Sequence, residues 1–192
     1  MAELRGMATG STHVALLRGI NVGGKNKLPM KDLVAVFVAA GCKDVRTYIQ
    51  SGNVVLCAPA ALAKELPHLV PAAIAKRFGL RVPVVMRSEA ELTRALTSNP
   101  FLKAGKDPDR LHVAFLADRP SPKLVARVDA KRSPPDELVL SGREIYLHLP
   151  NGVAKTKLTN AYFDAQLETT STIRNLRTVL ALVELAGTRG LR

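Results

Sequence analysis

The pentapeptide His13-Val-Ala-Leu-Leu17 recurs almost unchanged in the second half of the chain as His112-Val-Ala-Phe-Leu116. Each copy is short and apolar, a pattern that favours a buried β-strand. Similar successions of helical and extended patterns follow the two copies. The sequence therefore predicts an α+β protein built from two related halves.

The first half, residues 13–88, predicts the order β-α-β-β-α-β. This order is typical of a ferredoxin-like unit with an antiparallel sheet. After the first strand, the predicted segments are a helix at Pro29–Ala40, strands at Val45–Gln50 and Val54–Cys57 around the hairpin Ser51-Gly52-Asn53, a helix at Ala60–Phe78 interrupted near Pro67 or Pro71, and a strand at Leu80–Met86.

The second half, residues 89–187, predicts a partial repeat of the βαββα type with a terminal helix. Residues 1–12 are interpreted as a disordered leader and residues 188–192 as a frayed tail. The predicted segments are a connecting helix at Glu89–Ser98, a link at Asn99–Asp109, the strand His112–Leu116, a helix at Pro122–Ala130, strands at Leu138–Leu140 and Arg143–Leu149 around Ser141-Gly142, a helix at Lys157–Leu167, and a last helix at Ile173–Ala186 behind the capping candidates Ser171 and Thr172.

The formal net charge is +12, which favours anionic partners such as nucleic acid, nucleotides or phosphorylated metabolites. The basic residues are dispersed, so a generally solvated basic surface is the alternative interpretation. No apolar run reaches the roughly 18 residues that span a bilayer, and the start does not resemble a signal peptide. With only Cys42 and Cys57 present, a reducing cytoplasm is expected. The oligomeric state stays open.

The first half carries an extra polar loop. Val14 to Ser51 spans 37 positions and Val113 to Ser141 spans 28, so the first half is nine residues longer. The difference falls in the strand-to-helix gap, and function concentrates in such additions to a scaffold. In a ferredoxin-like sheet the end of the first strand and the tip of the hairpin share one edge. We therefore expect Arg18–Asn26 to lie beside Gln50–Asn53.

The extra loop partly matches a phosphate-binding motif. Gly19-Ile-Asn-Val-Gly-Gly24-Lys25 fits G-x-x-x-x-G-K, but Asn26 replaces the hydroxyl residue that binds Mg²⁺. The predicted sheets are also antiparallel, whereas nucleotidases with this motif have parallel sheets. Two interpretations remain: a loop that presents amides and Lys25 to an anion, or a structural glycine turn.

Other patterns leave the chemistry open. The last predicted helix carries Arg174, Asn175 and Thr178 near its N-terminus, and Lys155-Thr-Lys157 precedes another helix. Either could be an anion site or simple helix capping. No residue set has metal-ligand spacing, and no nucleophile motif appears. Whether the protein is an enzyme, and which cofactor it uses, is therefore unknown. The central strands lack the aromatic residues that RNA-recognition modules need.

Four motifs resemble the domain-of-unknown-function family 1697: Ala15-Leu-Leu-Arg-Gly-Ile-Asn-Val-Gly-Gly24, Thr47-Tyr-Ile-Gln-Ser-Gly-Asn53, Lys157-Leu-Thr-Asn160 and Thr172-Ile-Arg-Asn175. The resemblance implies a compact bacterial α+β protein and no particular activity. It implies recurrent polar positions at Arg18, Gly19, Asn21, Gly23, Gly24, Asn26, Gln50, Ser51, Gly52, Asn53, Lys157, Leu158, Thr159, Asn160, Thr172, Arg174, Asn175 and Thr178. Thr156 stands where members usually have Ser, and Leu176 stands where they usually have Trp.

These observations predict a binder of a phosphate-bearing or other anionic ligand. The ligand would contact the Arg18–Asn26 loop and the Gln50–Asn53 hairpin, completed by residues near Lys157 and Arg174. An enzyme acting on a nucleotide or another small substrate is one alternative. A nucleic-acid-binding interaction module is the other.

Overall fold

The structure is a computed structural model that describes residues 10–24 and 26–188. The described chain contains eight strands and seven α-helices. In chain order they are β1 (Ser11–Leu17), α1 (Met30–Ala39), β2 (Lys43–Tyr48), β3 (Asn53–Ala58), α2 (Ala60–Phe78), β4 (Val84–Ser88), α3 (Glu89–Thr97), α4 (Pro100–Lys103), β5 (Leu111–Leu116), α5 (Pro122–Val125), β6 (Glu137–Ser141), β7 (Glu144–His148), α6 (Asn160–Leu167), β8 (Ser171–Asn175) and α7 (Leu176–Gly187).

The strands form two four-stranded antiparallel sheets with matching strand orders. The first sheet is ordered β2-β3-β1-β4 and the second β6-β7-β5-β8. In each sheet the repeated apolar strand, β1 or β5, is central and pairs with two neighbours. The predicted α+β class with two ferredoxin-like halves is confirmed.

The prediction was wrong about residues 171–175. They form β8, paired with β5 from His112↔Asn175 to Leu116↔Ser171, and not the start of the last helix. The helix α7 begins at Leu176, where the Asn175 side chain accepts a hydrogen bond from the backbone of Thr178. Four of these five residues are polar, yet pairing with the central strand outweighs that composition. The second half is therefore a complete β-α-β-β-α-β repeat followed by α7.

Several other predicted elements also need correction. The strand β4 begins at Val84 and not at Leu80, and the predicted link Asn99–Asp109 contains the helix α4. The helix α2 runs unbroken through Pro67 and Pro71, because its buried residues Ala63, Leu66, Val70 and Ile74 pack at helical spacing and outweigh the lost hydrogen bonds. The helix α6 begins at Asn160 and not at Lys157, α5 ends at Val125, and β1 already begins at Ser11. Residues 1–9, Lys25 and residues 189–192 lie outside the described residues.

The two halves share a central core. Val14 and Leu16 of β1 face this core together with Val113 and Phe115 of β5, and α3 and α7 pack into it. The alternate β1 residues, including Leu17, face a separate outer core under α1 and α2. A third core lies between the second sheet and α6. Successive side chains of β1 point to opposite faces of the sheet, and both faces are buried.

The extra length of the first half is divided between two loops. The β1–α1 loop covers residues 18–29, whereas the equivalent β5–α5 loop covers only 117–121. The β2–β3 hairpin loop covers residues 49–52, against 142–143 in the second half, because Tyr48 pairs with Asn53 where Ser141 pairs with Glu144. The expected equivalence of the two Ser-Gly pairs is therefore wrong. The strand register instead makes Asn53 equivalent to Glu144.

Candidate functional site

A cleft of about 630 Å³ lies between the halves, at the ends of the two extra loops. Ten of the eighteen positions that the family resemblance implies line it. They are Arg18, Gly19, Ser51, Leu158, Thr159, Asn160, Thr172, Arg174, Asn175 and Thr178. The second half supplies seven of these ten, so the cleft is centred closer to β8 than the sequence indicated.

The two amide side chains of the β1–α1 loop hold the loop together. Asn21 donates from Nδ2 to the carbonyls of Leu28 (2.9 Å) and Gln50 (3.0 Å) and accepts from the Leu28 backbone at 2.8 Å. Asn26 donates to the carbonyl of Gly19 at 2.8 Å. These contacts confirm that the loop lies beside the hairpin. They also mean that both amides already have partners within the protein.

The other predicted residues lie outside the cleft lining. Gly23 and Gly24 form the exposed tip of the loop, the Gln50 side chain is exposed, and Lys25 lies outside the described residues. Lys157 is also exposed, and its backbone N–H donates to the hydroxyl of Ser133. Gly52 and Asn53 are buried behind the cleft wall.

Arg174 joins the two halves. Its Nε donates to Oδ1 of Asn53 at 2.6 Å, and its Nη2 donates to the carbonyl of Leu17 at 2.6 Å and more weakly to those of Ser51 and Gly52. Its Nη1 donates to Thr172 and to its own strand's backbone. All of these acceptors are neutral. Burial lowers the pKa of Arg174 to about 10, so the guanidinium stays charged at neutral pH.

Arg87 occupies the equivalent position on β4 and makes the mirror set of contacts. Its Nη2 donates to the carbonyls of Leu116 and Arg143, which correspond to those of Leu17 and Gly52. Its Nε donates at 2.9 Å to Glu144, the counterpart of Asn53. The charge of Arg87 is thus paired with a carboxylate. Within the described residues, Arg174 forms no ion pair.

The surroundings of Arg87 form a second cleft that repeats the first with different charges. His13, Ser88 and Arg87 line it where His112, Asn175 and Arg174 line the first. Glu91 and Asp118 stand at the positions of Thr178 and Gly19 in the first cleft. The second cleft therefore carries two acids beside the three cations Lys64, Arg87 and Arg143, while the equivalent positions of the first cleft carry no acid.

Arg18 contributes a second guanidinium to the first cleft. Its Nη1 donates to Asp164 at 2.5 Å and to the carbonyl of Ser171 at 3.0 Å. Asp164 also accepts hydrogen bonds from the backbone and hydroxyl of Ser171, so it is held in place by β8. The Nε and Nη2 groups of Arg18 make no hydrogen bond with any other described residue. They are free to donate to a ligand.

Two helix N-termini reach the same cleft. Thr159 caps α6 by accepting from the backbone of Tyr162, and Asn175 caps α7 by accepting from that of Thr178. Each cap satisfies one N–H group, and the positive end of each helix dipole remains. The predicted caps Ser171 and Thr172 are wrong, because both residues lie within β8. Asn175 caps α7 instead. Both helix ends add to the positive potential of Arg174, while the charge of Arg18 is paired with Asp164.

The sequence interpretation missed the apolar and histidine part of the lining. Val22, Ile49 and Val153 line the cleft and are more than half exposed. His112 is buried to 8% exposure, and within the described part of the chain its Nδ1 has no hydrogen-bond partner. Burial lowers the pKa of His112, against a smaller effect of the Arg110 backbone, so the ring is neutral at neutral pH. No sequence pattern separates these residues from ordinary core residues.

Two absences apply to residues 10–24 and 26–188. No cluster of three or more His, Cys, Asp or Glu side chains could hold a metal ion. No helix there combines the length and the apolar character needed to cross a membrane.

The fold defines a class of internally repeated ferredoxin-like proteins with a cleft between the halves. The chain belongs to the family described as "Protein of unknown function (DUF1697)", whose match covers residues 11–146. The motifs at 157–160 and 172–175 lie beyond this match.

A solved structure, that of conserved bacterial protein SP0830 from Streptococcus pneumoniae, is similar in fold. Its TM-score is 0.71 at 22% identity, and the alignment covers 93% of this chain and 99% of that one. No curated protein matches the chain.

Proposed function

We propose that this protein binds a small phosphate-bearing anion in the cleft between its halves. The observation that carries the proposal is the difference between Arg174 and Arg87. At equivalent positions with equivalent carbonyl contacts, Glu144 balances the charge of Arg87, whereas the neutral Asn53 leaves the charge of Arg174 unbalanced. An unbalanced charge in a partly buried site costs free energy, and a bound anion recovers it.

The two arginines would act differently on the ligand. All N–H groups of Arg174 already have acceptors, so its effect on an anion is through its charge. Arg18 has free N–H groups that can donate to phosphate oxygens directly, and a guanidinium suits phosphate geometry. The N-terminal ends of α6 and α7 add backbone dipoles of the same sign. A concave site of about 630 Å³ is of the size that small-molecule ligands occupy.

The substitution Asn53→Asp tests the proposal. It adds a carboxylate at the atom that already contacts Arg174, with almost no change in shape, and so recreates the charge balance of the Arg87 site. It also removes the hydrogen bonds that Nδ2 of Asn53 donates to Tyr48 and Ser51. We expect ribose 5-phosphate to bind the unsubstituted protein and to bind this variant at least about tenfold more weakly, a difference of ~1.4 kcal/mol. Isothermal titration calorimetry measures the affinity, and urea unfolding checks that the variant stays folded.

Glu144→Gln is the matched control, because it removes the carboxylate at the equivalent position outside the cleft. Its affinity for ribose 5-phosphate should equal that of the unsubstituted protein. The proposal fails if the unsubstituted protein binds no phosphate ester, or if Asn53→Asp binds as well as the unsubstituted protein does.

A further inference from the structure

The mouth of the cleft is apolar. Val22, Ile49 and Val153 come from three different loops, and their exposures are 60%, 52% and 55%. Only seven large hydrophobic residues in the described part of the chain are exposed to a similar degree, and three of them meet here. Scattered exposed aliphatic residues are ordinary on a protein surface, but a group around one cleft marks a contact surface.

Ile49 is the most informative of the three. Its backbone has φ of +48°, a left-handed conformation in which a β-branched residue is sterically unfavourable. Its side chain is also half exposed, so its contribution to the core is small. Asn or Gly would suit this backbone better at position 49. The aliphatic side chain therefore has no evident role in folding. Its position at the mouth of the cleft is explained by contact with a ligand.

We infer, on the basis of the proposed anion binding, that the ligand is a mononucleotide. Its phosphate would lie at Arg18 and the helix ends, and its base would contact the aliphatic side chains of Val22, Ile49 and Val153. A planar base offers apolar faces to these side chains. Its polar edge matches the hydroxyl and amide groups of Thr156 and Asn160, which line the same cleft. The volume suits one nucleotide and is too small for an oligonucleotide.

The test compares AMP with ribose 5-phosphate, which has the same sugar and phosphate without the base. We expect AMP to bind about tenfold more tightly, because the base removes apolar surface from water. In Ile49→Asn and Val153→Ser the affinity for AMP should exceed that for ribose 5-phosphate by only about threefold or less. The affinity for ribose 5-phosphate itself should stay unchanged. Val38→Ser is the matched control, since Val38 is 54% exposed on α1 away from the cleft.

The possible results separate the two proposals. If AMP and ribose 5-phosphate bind equally well, the base has no contact and the nucleotide inference is overturned, while phosphate binding stands. If neither binds, the proposed function itself fails. If the advantage of AMP persists in Ile49→Asn and in Val153→Ser, the base lies elsewhere and the inference is also overturned.

Discussion

Gly52 is the residue on which the contact between hairpin and β1 depends most directly. Its φ is +79°, and a Cβ atom there would lie 2.8 Å from Cβ of Leu17 and 3.1 Å from Ile20. Its carbonyl accepts the backbone N–H of Leu17 at 2.7 Å, so the loop cannot move away without losing that bond. The same carbonyl is one of the acceptors around Arg174. A side chain at position 52 would therefore disturb both the hairpin and the cleft.

We expect Gly52→Ala to lower the free energy of unfolding by about 3 kcal/mol, from the left-handed backbone plus steric overlap. Gly23→Ala is the control, because Gly23 has φ of +58° but nothing within 4 Å of a Cβ atom. It should cost only the conformational part, about 1 kcal/mol. Urea unfolding measures both values. Equal losses in the two variants would contradict the steric argument.

Asn53 and Glu144 show what a single residue changes at an otherwise repeated position. The surrounding carbonyl groups correspond, but Nδ2 of Asn53 also donates to the carbonyl of Tyr48 and to Oγ of Ser51. The amide and the carboxylate therefore differ in charge and in hydrogen bonding. This difference could not be predicted from the sequence, because the Ser-Gly pairs suggested a hairpin alignment displaced from the true register. Only the pairing of Tyr48 with Asn53 and of Ser141 with Glu144 identifies the equivalent residues.

Among the elements, those with a local signal were predictable. The apolar run of β1 and the helical spacing of α2 each follow from residues close in sequence. The strand β8 was missed, because its residues are stabilised by β5 and by Asn53, which lies 121 positions away. The candidate site was found in part for the same reason: its loops carry motifs, but its second-half residues depend on β8.

The histidines near the starts of β1 and β5 predict how stability changes with pH. Burial lowers the pKa of His13 and of His112 below 6.5. The unfolded chain therefore binds more protons at these two histidines than the folded protein does. The folded state loses stability as the pH falls below about 6.5. Above that pH both states are neutral at these positions, and the two histidines add no pH dependence.

We therefore expect the urea midpoint to fall between about pH 7.5 and about pH 5.5. In the double variant His13→Gln plus His112→Gln the fall should be smaller. His68→Gln is the control, since His68 lies outside both strand starts. A fall that is the same in the double variant and the unsubstituted protein would show that other groups cause it.

At the scale of the whole molecule, the central core makes the two halves depend on each other. Val14 and Leu16 of the first sheet and Val113 and Phe115 of the second are fully buried, and they belong to one continuous core. Arg174 and Arg87 each donate hydrogen bonds from one half to the other. Separation of the halves would expose this core and leave these buried groups without partners.

This arrangement predicts that the protein unfolds in one cooperative transition, although the fold repeats. Leu66→Ala removes a buried side chain from the outer core of the first half and should cost about 3 kcal/mol. Because the halves unfold together, the opening free energy measured by hydrogen exchange should fall by the same amount for protected amides in β5 and in β3. Leu167→Ala makes the reciprocal change in the outer core of the second half and should accelerate exchange in β3 equally. A loss of protection confined to the substituted half would mean that the two repeats unfold separately, and that the cleft between them opens without global unfolding.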